Sequence, residues 1–444
     1  MPLRDLVIIP LFFCLAVLAL QRPIYGLYGW YLVSFMNIHR LGWGYARTMQ
    51  PALLMAVTTL VGVMLHPKPG FKLTRESSLV LVFWVFTLLT TLFAAYPAAA
   101  WQTWINFSKT LLFFFLTIYL IDNYDELKRL VMATTFFLGF YGIKGGIFSL
   151  VTGGRHRVYG PEESFIADNN EMALALNMTL PMIWWLAQNA KSFRAKQGWI
   201  AMFGLSVIAI IFTFSRGGFL TLILIALLLF KNSRKKFLVI SVAGVILLVL
   251  SFYIGEHWTG RMESIGEYQQ ESSAMSRITA WGVAWNFALE HPLFGGGFKV
   301  MSPEIYWRYG VQSGIVSHSI YFGTLAEHGF LGLVIYLLIY GSTLSSISRI
   351  RKMTSDANVA DLLRMIKLSL WAFLFGGAFY EMQYFDYALY LVSVVSAMRI
   401  IAEKEFLAMR RSQREAIPAW RPAGISSRPA FGRPPYVVGT KPLR

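Results

Sequence analysis

Long apolar runs broken by short polar ones dominate this chain. Runs of roughly 15–25 residues, the length at which a helix crosses hydrocarbon, recur at about 3–20, 23–36, 50–65, 78–95, 103–121, 128–150, 171–188, 199–214, 217–230, 237–254, 319–346, 366–380 and 386–402. The second is short and contains Gly26 and Gly29. It reads either as a thirteenth crossing or as a re-entrant segment that leaves twelve. The pattern predicts an all-α, polytopic membrane protein with about 12–13 transmembrane helices. Residues 1–402 form the membrane domain. A long loop, 255–318, is inserted within it and carries short helices. A basic tail, 403–444, follows, and its Pro-, Gly- and Arg-rich end, 421–444, lacks apolar periodicity and reads as disordered.

Composition agrees. The 444 residues are 56% hydrophobic and 14% charged, against about 25% charge in a soluble domain. The net charge of +17 does not form a stripe on a soluble domain, so nucleic acid is not the expected partner. It collects in short loops instead. KSFRAKQG (191–198) carries three positive charges, KNSRKK (231–236) four, and 348–367 five against two aspartates. The positive-inside rule assigns these loops to the cytoplasm. The joint Ser215–Gly218 and the segments 151–170 and 255–318 then face outward. The N-terminus is outside if all thirteen runs cross, and inside if 23–36 does not. The first run lacks a small-residue cleavage site and reads as a retained span. Cys14 is the lone cysteine and forms no internal disulfide.

Four outward features hold candidate chemistry. In FTFSRGGFLTL (212–222), Arg216 stands where positive-inside statistics disfavour arginine. It either snorkels or meets an anion. Phosphate suits a guanidinium through forked, charge-assisted hydrogen bonds, and Gly217 and Gly218 leave room for a large headgroup. In SRITAWGVAWNFALEHPLFGGGF (276–298), Ser276 is positioned to cap a helix starting near Arg277. Trp281, Trp285 and Leu289 fall four apart on one face, as in an amphipathic helix at the bilayer surface. Arg277 is either a second phosphate ligand or a solvated charge. The triple glycine reads as a flexible turn, not a nucleotide fingerprint. In SHSIYFGTLAEHGFLG (317–332), His318 precedes an apolar helix and is a natural general base near neutral pH. Glu327 lies inside the span, where a carboxylate faces protein or a cavity. It either organises the site or pairs structurally. Gly329 and Gly332 permit close helix packing. In 153–177, Arg155 and Arg157 can help hold an anionic donor, and Asp168–Glu171 reads as a helix cap or, less well, a metal ligand set. Glu381 and Asp386 in EMQYFDY (381–387) are ambiguous. HExxH, GxSxG and Walker patterns are missing, so neither a metal nor another cofactor is expected. The residues together suggest two arginines that neutralise a diphosphate leaving group and one histidine that deprotonates an attacking hydroxyl.

At FSRGGFL (214–220), 276–298 and HSIYFGTLAEHGFLG (318–332), taken in that order around a long outer loop, the chain resembles the O-antigen ligase and polymerase superfamily of bacterial envelope proteins. RPIYGLYGWYLVSFMNIHRLGWG (22–44) resembles the start of O-glycosylation ligases associated with the exosortase A system. The resemblance implies a metal-independent, inverting glycosyltransferase of the bacterial inner membrane. Its donor would be a glycan on undecaprenyl diphosphate, used at the periplasmic face, and its acceptor a protein, lipid or glycan hydroxyl. It implies Arg216 and Arg277 for the diphosphate and His318 for the acceptor, with Arg155, Arg157, Glu327 and Trp281 as candidate substrate-side residues. The segment before residue 50 differs from ordinary lipid A-core ligases, which weakens any transfer of their acceptor. A polysaccharide polymerase is the alternative within the superfamily. A transporter of lipid-linked glycans is the alternative outside it, and expects internal repeats that the sequence lacks. A membrane scaffold would tolerate alanine at Arg216, Arg277 or His318.

Overall fold

The computed structural model describes residues 3–232, 272–312 and 317–416. The expected helix at 237–254, loop residues 255–271 and the expected disorder of 421–444 lie outside these. Among the described residues the chain forms fifteen α-helices and no strand. They are α1 Asp5–Gln21, α2 Ile24–Tyr31, α3 Tyr45–Thr48, α4 Pro51–Leu65, α5 Arg75–Leu92, α6 Pro97–Leu120, α7 Tyr124–Val151, α8 Asn169–Gln188, α9 Phe193–Phe212, α10 Arg216–Asn232, α11 Ser272–Glu290, α12 Pro303–Arg308, α13 Ile320–Met353, α14 Ala357–Gly376 and α15 Asp386–Ala416. Six helices (α5, α6, α7, α9, α13 and α14) are long and apolar enough to cross a membrane, and α1 and α4 are shorter apolar helices. The protein is an all-α, multi-pass membrane protein. The expected runs 171–188, 217–230 and 386–402 fall on α8, α10 and α15. Helix α8 is buried along almost its whole length, as expected of a helix apolar on every side.

Local chemistry sets the helix ends. Thr74 and Ser77 form a capping box on α5, and Asp168, Ser192 and Asp356 accept the first free amides of α8, α9 and α14. Such caps satisfy backbone donors that a helix leaves unpaired. Short joints then force consecutive helices to run antiparallel. One end of the bundle gathers residues 93–96, the loop 152–168, the Thr213–Ser215 joint, 291–299, 317–319 and 380–385. The other gathers 66–74, 121–123, 189–192 and 354–356. There Lys68 Nζ meets Asp122 at 2.7 Å and Lys128 Nζ meets Asp356 at 3.5 Å.

The ambiguous second run crosses the bundle. Asp5, at the start of α1, accepts from the Ala46 amide at 3.3 Å, and Arg4 donates to the Leu41 carbonyl at 2.9 Å. Arg40 pairs with Glu163, and Arg47 with Glu162 at 3.2 Å, so residues 37–48 lie at the Ser215 end. The far end of α1 lies at the other: Gly62 packs against Ala19 and Pro23. Helix α2 with a π-helical turn, Leu32–Met36, returns through the interior, where Trp30 stacks on Phe113 at 3.9 Å and Tyr141 donates to the Met36 carbonyl. These thirteen residues span roughly 20 Å at helical rise, and their burial against other helices removes the need to match lipid thickness. The N-terminal end of α1 therefore shares a face with Ser215.

Three expectations need correcting. Helix α11 starts at Ser272, so Ser276 lies inside it and is not its cap. Its buried face is Ala280, Val283, Ala284, Phe287 and Ala288, and the Trp281–Trp285–Leu289 stripe lies beside that face with Trp285 and Leu289 46% and 57% exposed, which leaves the amphipathic reading of the helix uncorrected. The triple glycine is packed. The Gly296 and Gly297 amides donate to the Ala326 and Glu327 carbonyls at 2.9 and 2.8 Å, and a Cβ on Gly295 would lie 2.5 Å from the Ala326 oxygen. This docking is possible because α13 breaks at Gly329, which has φ 67° and ψ −173°. Gly329 is thus a backbone break, whereas Gly332 does lie against another helix, at Phe86 of α5.

Residues up to Glu403 form one compact unit and those from Lys404 a second. In the second, helix α15 continues to Ala416 and the Arg410 guanidinium lies 4.5 Å over the Phe406 ring.

Candidate active site

The Ser215 joint is built by three side chains. Phe214 takes a left-handed backbone, φ 53°, and Ser215 then turns its hydroxyl inward. Ser215 Oγ donates to Asn170 Oδ1 at 2.7 Å, lies 2.8 Å from the Tyr380 hydroxyl, and accepts from the Gly218 amide at 3.2 Å. Asn169 Nδ2 donates to the Thr213 carbonyl at 2.8 Å, and Asn177 Nδ2 to that of Gly218 at 3.0 Å. The start of α10 is thereby fastened to α8 and to the 380–385 turn. Arg216, half-buried, is the first residue of that helix. The two glycines after it do not open space for a headgroup. A Cβ on Gly217 would lie 2.6 Å from the Tyr380 hydroxyl, and one on Gly218 would lie 2.5 Å from Ala173 Cβ. They let α10 pack tightly.

His318 stands just before α13 with φ 45°, between the buried Ser317 and Ser319. Ser319 caps α13 by accepting from the Tyr321 amide at 3.3 Å. Burial and the Arg277 guanidinium hold the His318 imidazole below the usual histidine range, against an opposing pull from Asp168. Arg277 and Asp168 also act on Tyr380, whose phenol burial pushes up. Tyr380 is thus the shared neighbour of the Ser215–Arg216 joint and the Arg277–His318 group. The N-termini of α8, α10 and α13 also meet here. Their unpaired amides and dipoles favour negative charge. Asp168 is spent largely on capping: its Oδ1 accepts from the Asn170 amide at 2.9 Å and side chain at 2.8 Å.

Trp281 has its indole N–H engaged by the protein's own backbone. It donates to the Ser317 carbonyl at 2.8 Å, while its ring stacks on Phe322 at 5.3 Å and 11°. Glu327 is 2% exposed and its oxygens are engaged by protein. Oε1 accepts from the Lys299 amide at 2.8 Å. Oε2 accepts from Gln383 Nε2 at 3.0 Å and the Tyr384 hydroxyl at 2.6 Å. A carboxylate only accepts, so the Tyr384 oxygen takes its other bond from His328 Nε2–H at 2.6 Å, leaving Nδ1 to face Thr90 Oγ1 at 2.7 Å. This geometry favours an organising role for Glu327 over substrate contact. Arg155 is exposed and Arg157 half-buried. Their loop lies on the end of α9, where the Val158 amide donates to the Phe212 carbonyl at 3.0 Å. Both share the site's end of the bundle, in a loop separate from the His318 group.

Two groups escaped sequence reading. Lys299 has φ 60°, and its Nζ lies 3.8 Å from Glu381 Oε1. Burial and the Glu327 carboxylate push Glu381 up to about 7, with Lys299 and the Ser317 donors opposing. Tyr380 carried no sequence signal, because its role depends on a contact across 165 positions. Asp386, ambiguous from sequence, accepts from Ser34 at 2.6 Å and Thr110 at 2.9 Å, inside the bundle.

Comparison with known families separates the chain into two stretches. Residues 3–191 match a family of unknown function. Residues 201–337, which carry Arg216, Arg277, His318 and Glu327, match the O-antigen ligase family. No curated protein matches the chain significantly. Residues 201–337 therefore form an O-antigen ligase-type domain within a multi-pass membrane protein, which supports a ligase or polymerase type of function.

Proposed function

We propose that the protein transfers a glycan from an undecaprenyl-diphosphate carrier to an acceptor hydroxyl at the periplasmic face of a bacterial inner membrane. The arrangement that carries this reading is a histidine between two buried serines, whose imidazole burial and Arg277 hold below the usual histidine range, at a bundle end where three helix N-termini and Arg216 favour an anion. His318 takes the proton of the acceptor hydroxyl as its oxygen bonds to the anomeric carbon. The bond from that carbon to the diphosphate breaks on the opposite face, so the configuration inverts. The negative charge leaves on the diphosphate, where Arg216 and Arg277 neutralise it. Arg155 and Arg157 extend this electropositive end, and Glu327 and Trp281 support the walls. The charge on the leaving group is met by arginine, so the reaction needs no metal.

The test is reconstitution of the full chain with a defined polyprenyl-diphosphate glycan and separate acceptors: a serine- and threonine-bearing peptide, a lipid, and a second lipid-linked glycan. Transfer to peptide or lipid identifies a ligase, and chain extension a polymerase. Transfer is expected to survive EDTA. Loss restored by a divalent cation refutes the metal-independent step. Translocation of the lipid-linked glycan without any new glycosidic bond refutes the enzymatic reading altogether.

A further inference from the structure

His318 occupies a backbone conformation that side-chain-bearing residues rarely adopt, φ 45°. Such a conformation persists when its surroundings over-determine it. One side chain reaches both flanks. The Trp281 indole N–H donates to the carbonyl of Ser317, the residue before, at 2.8 Å. The same ring stacks, 11° from parallel, on Phe322 in the first turn after. Ser317 and Ser319 are fully or almost fully buried, so the carbonyl that Trp281 satisfies has little access to water. Trp281 also lies four residues after Arg277 on α11, on the same helical face. Seating this one helix therefore delivers the guanidinium to His318 and fastens the His318 backbone.

We propose that Trp281 is a positioning residue for His318, which ties the aim of the base to the seating of the Arg277 helix. The inference rests on the assignment of His318 as base. A role in substrate contact would place Trp281 against the glycan instead, and the two roles separate kinetically. Trp281→Phe keeps the stacking ring and removes the N–H. In the reconstituted reaction its kcat is expected to fall on the order of ten- to a hundred-fold, as for a misaimed catalytic group, with KM for the lipid-linked donor within two-fold of wild type. Trp281→Tyr, which restores a donor at the ring's edge, is expected to recover part of the loss. A raised KM with unchanged kcat, or wild-type kinetics in Trp281→Phe, overturns the proposal.

A second measurement needs no acceptor. Carbethoxylation by diethyl pyrocarbonate, followed by mass spectrometry on the full chain in detergent, reads the His318 environment directly. The His318 rate is expected to change several-fold in Trp281→Phe, while that of His66, at the other end of the bundle, stays constant. An unchanged His318 rate also overturns the proposal. His318→Ala is assayed in parallel. If it retains transfer, the base assignment fails, while the labelling result still decides whether Trp281 positions His318.

Discussion

A sugar hydroxyl attacks only as it loses its proton, so the acid–base state of His318 sets the pH dependence of the proposed reaction. His318→Ala is expected to abolish transfer while the protein elutes and melts as wild type; substantial residual transfer removes His318 from the chemistry. Its imidazole is held below the usual histidine range, so the rate is expected to fall with acid only below that range. Arg277→Gln removes a positive neighbour. It should raise the His318 pKa and move the acid limb of the kcat profile to higher pH. Asp168→Asn keeps a capping side chain but removes a negative neighbour, and should move that limb lower. A profile that stays put in both variants means that His318 does not govern it. Arg216→Lys keeps the charge and loses the forked contact. A drop of roughly ten-fold or more, about 1.4 kcal/mol of transition-state stabilisation, is expected in kcat/KM, and wild-type rates point to a generic electrostatic role.

At the scale of elements, the site depends on a loop docked into a broken helix. The sequence shows GGG as a turn, yet the glycines accept close approach by the α13 backbone at a break made by Gly329. Gly295→Ala meets both a left-handed φ of 61° and the Ala326 oxygen, and is expected to lower stability by about 1–3 kcal/mol. Gly198, where an added Cβ would meet nothing within 4 Å, is the control. Thermal melting in detergent compares them, and equal melting of the two alanine variants contradicts the docked-loop account. The α11 helix makes a related point. The tryptophan stripe was legible as a helical pattern, but which face packs was not. Small Ala280, Ala284 and Ala288 let the helix approach the bundle closely along the face beside the stripe, which leaves Trp285 and Leu289 exposed.

At the scale of the whole molecule, α1 and the α2 return cross the bundle as a pair. In a Cys14→Ser background, single cysteines at Trp43 and Arg155 are expected to react with a membrane-impermeant thiol reagent from the same side. Cysteines at Arg194 and Lys352 should react from the opposite side. Labelling of Trp43 from the Arg194 side contradicts the paired crossing. The helix positions themselves were largely readable, because each run satisfies its own backbone and buries its own apolar surface. The one topological ambiguity lay where a run was too short for lipid. The ion pairs from Arg40 and Arg47 to Glu163 and Glu162, between partners more than a hundred residues apart, decided it.

Sequence alone determined that this is an all-α membrane protein and singled out Arg216, Arg277 and His318, since hydropathy, loop charge and local motifs act over a few residues. Only the tertiary structure decided what surrounds them. It turned Gly217 and Gly218 from access into packing, and it surrounded the Glu327 carboxylate with the Lys299 amide, Gln383 and Tyr384. It also brought Lys299, Tyr380 and Glu381 to the site. Each of those outcomes depends on an approach of a few ångströms between residues far apart in the chain, and such distances exist only once the helices have packed.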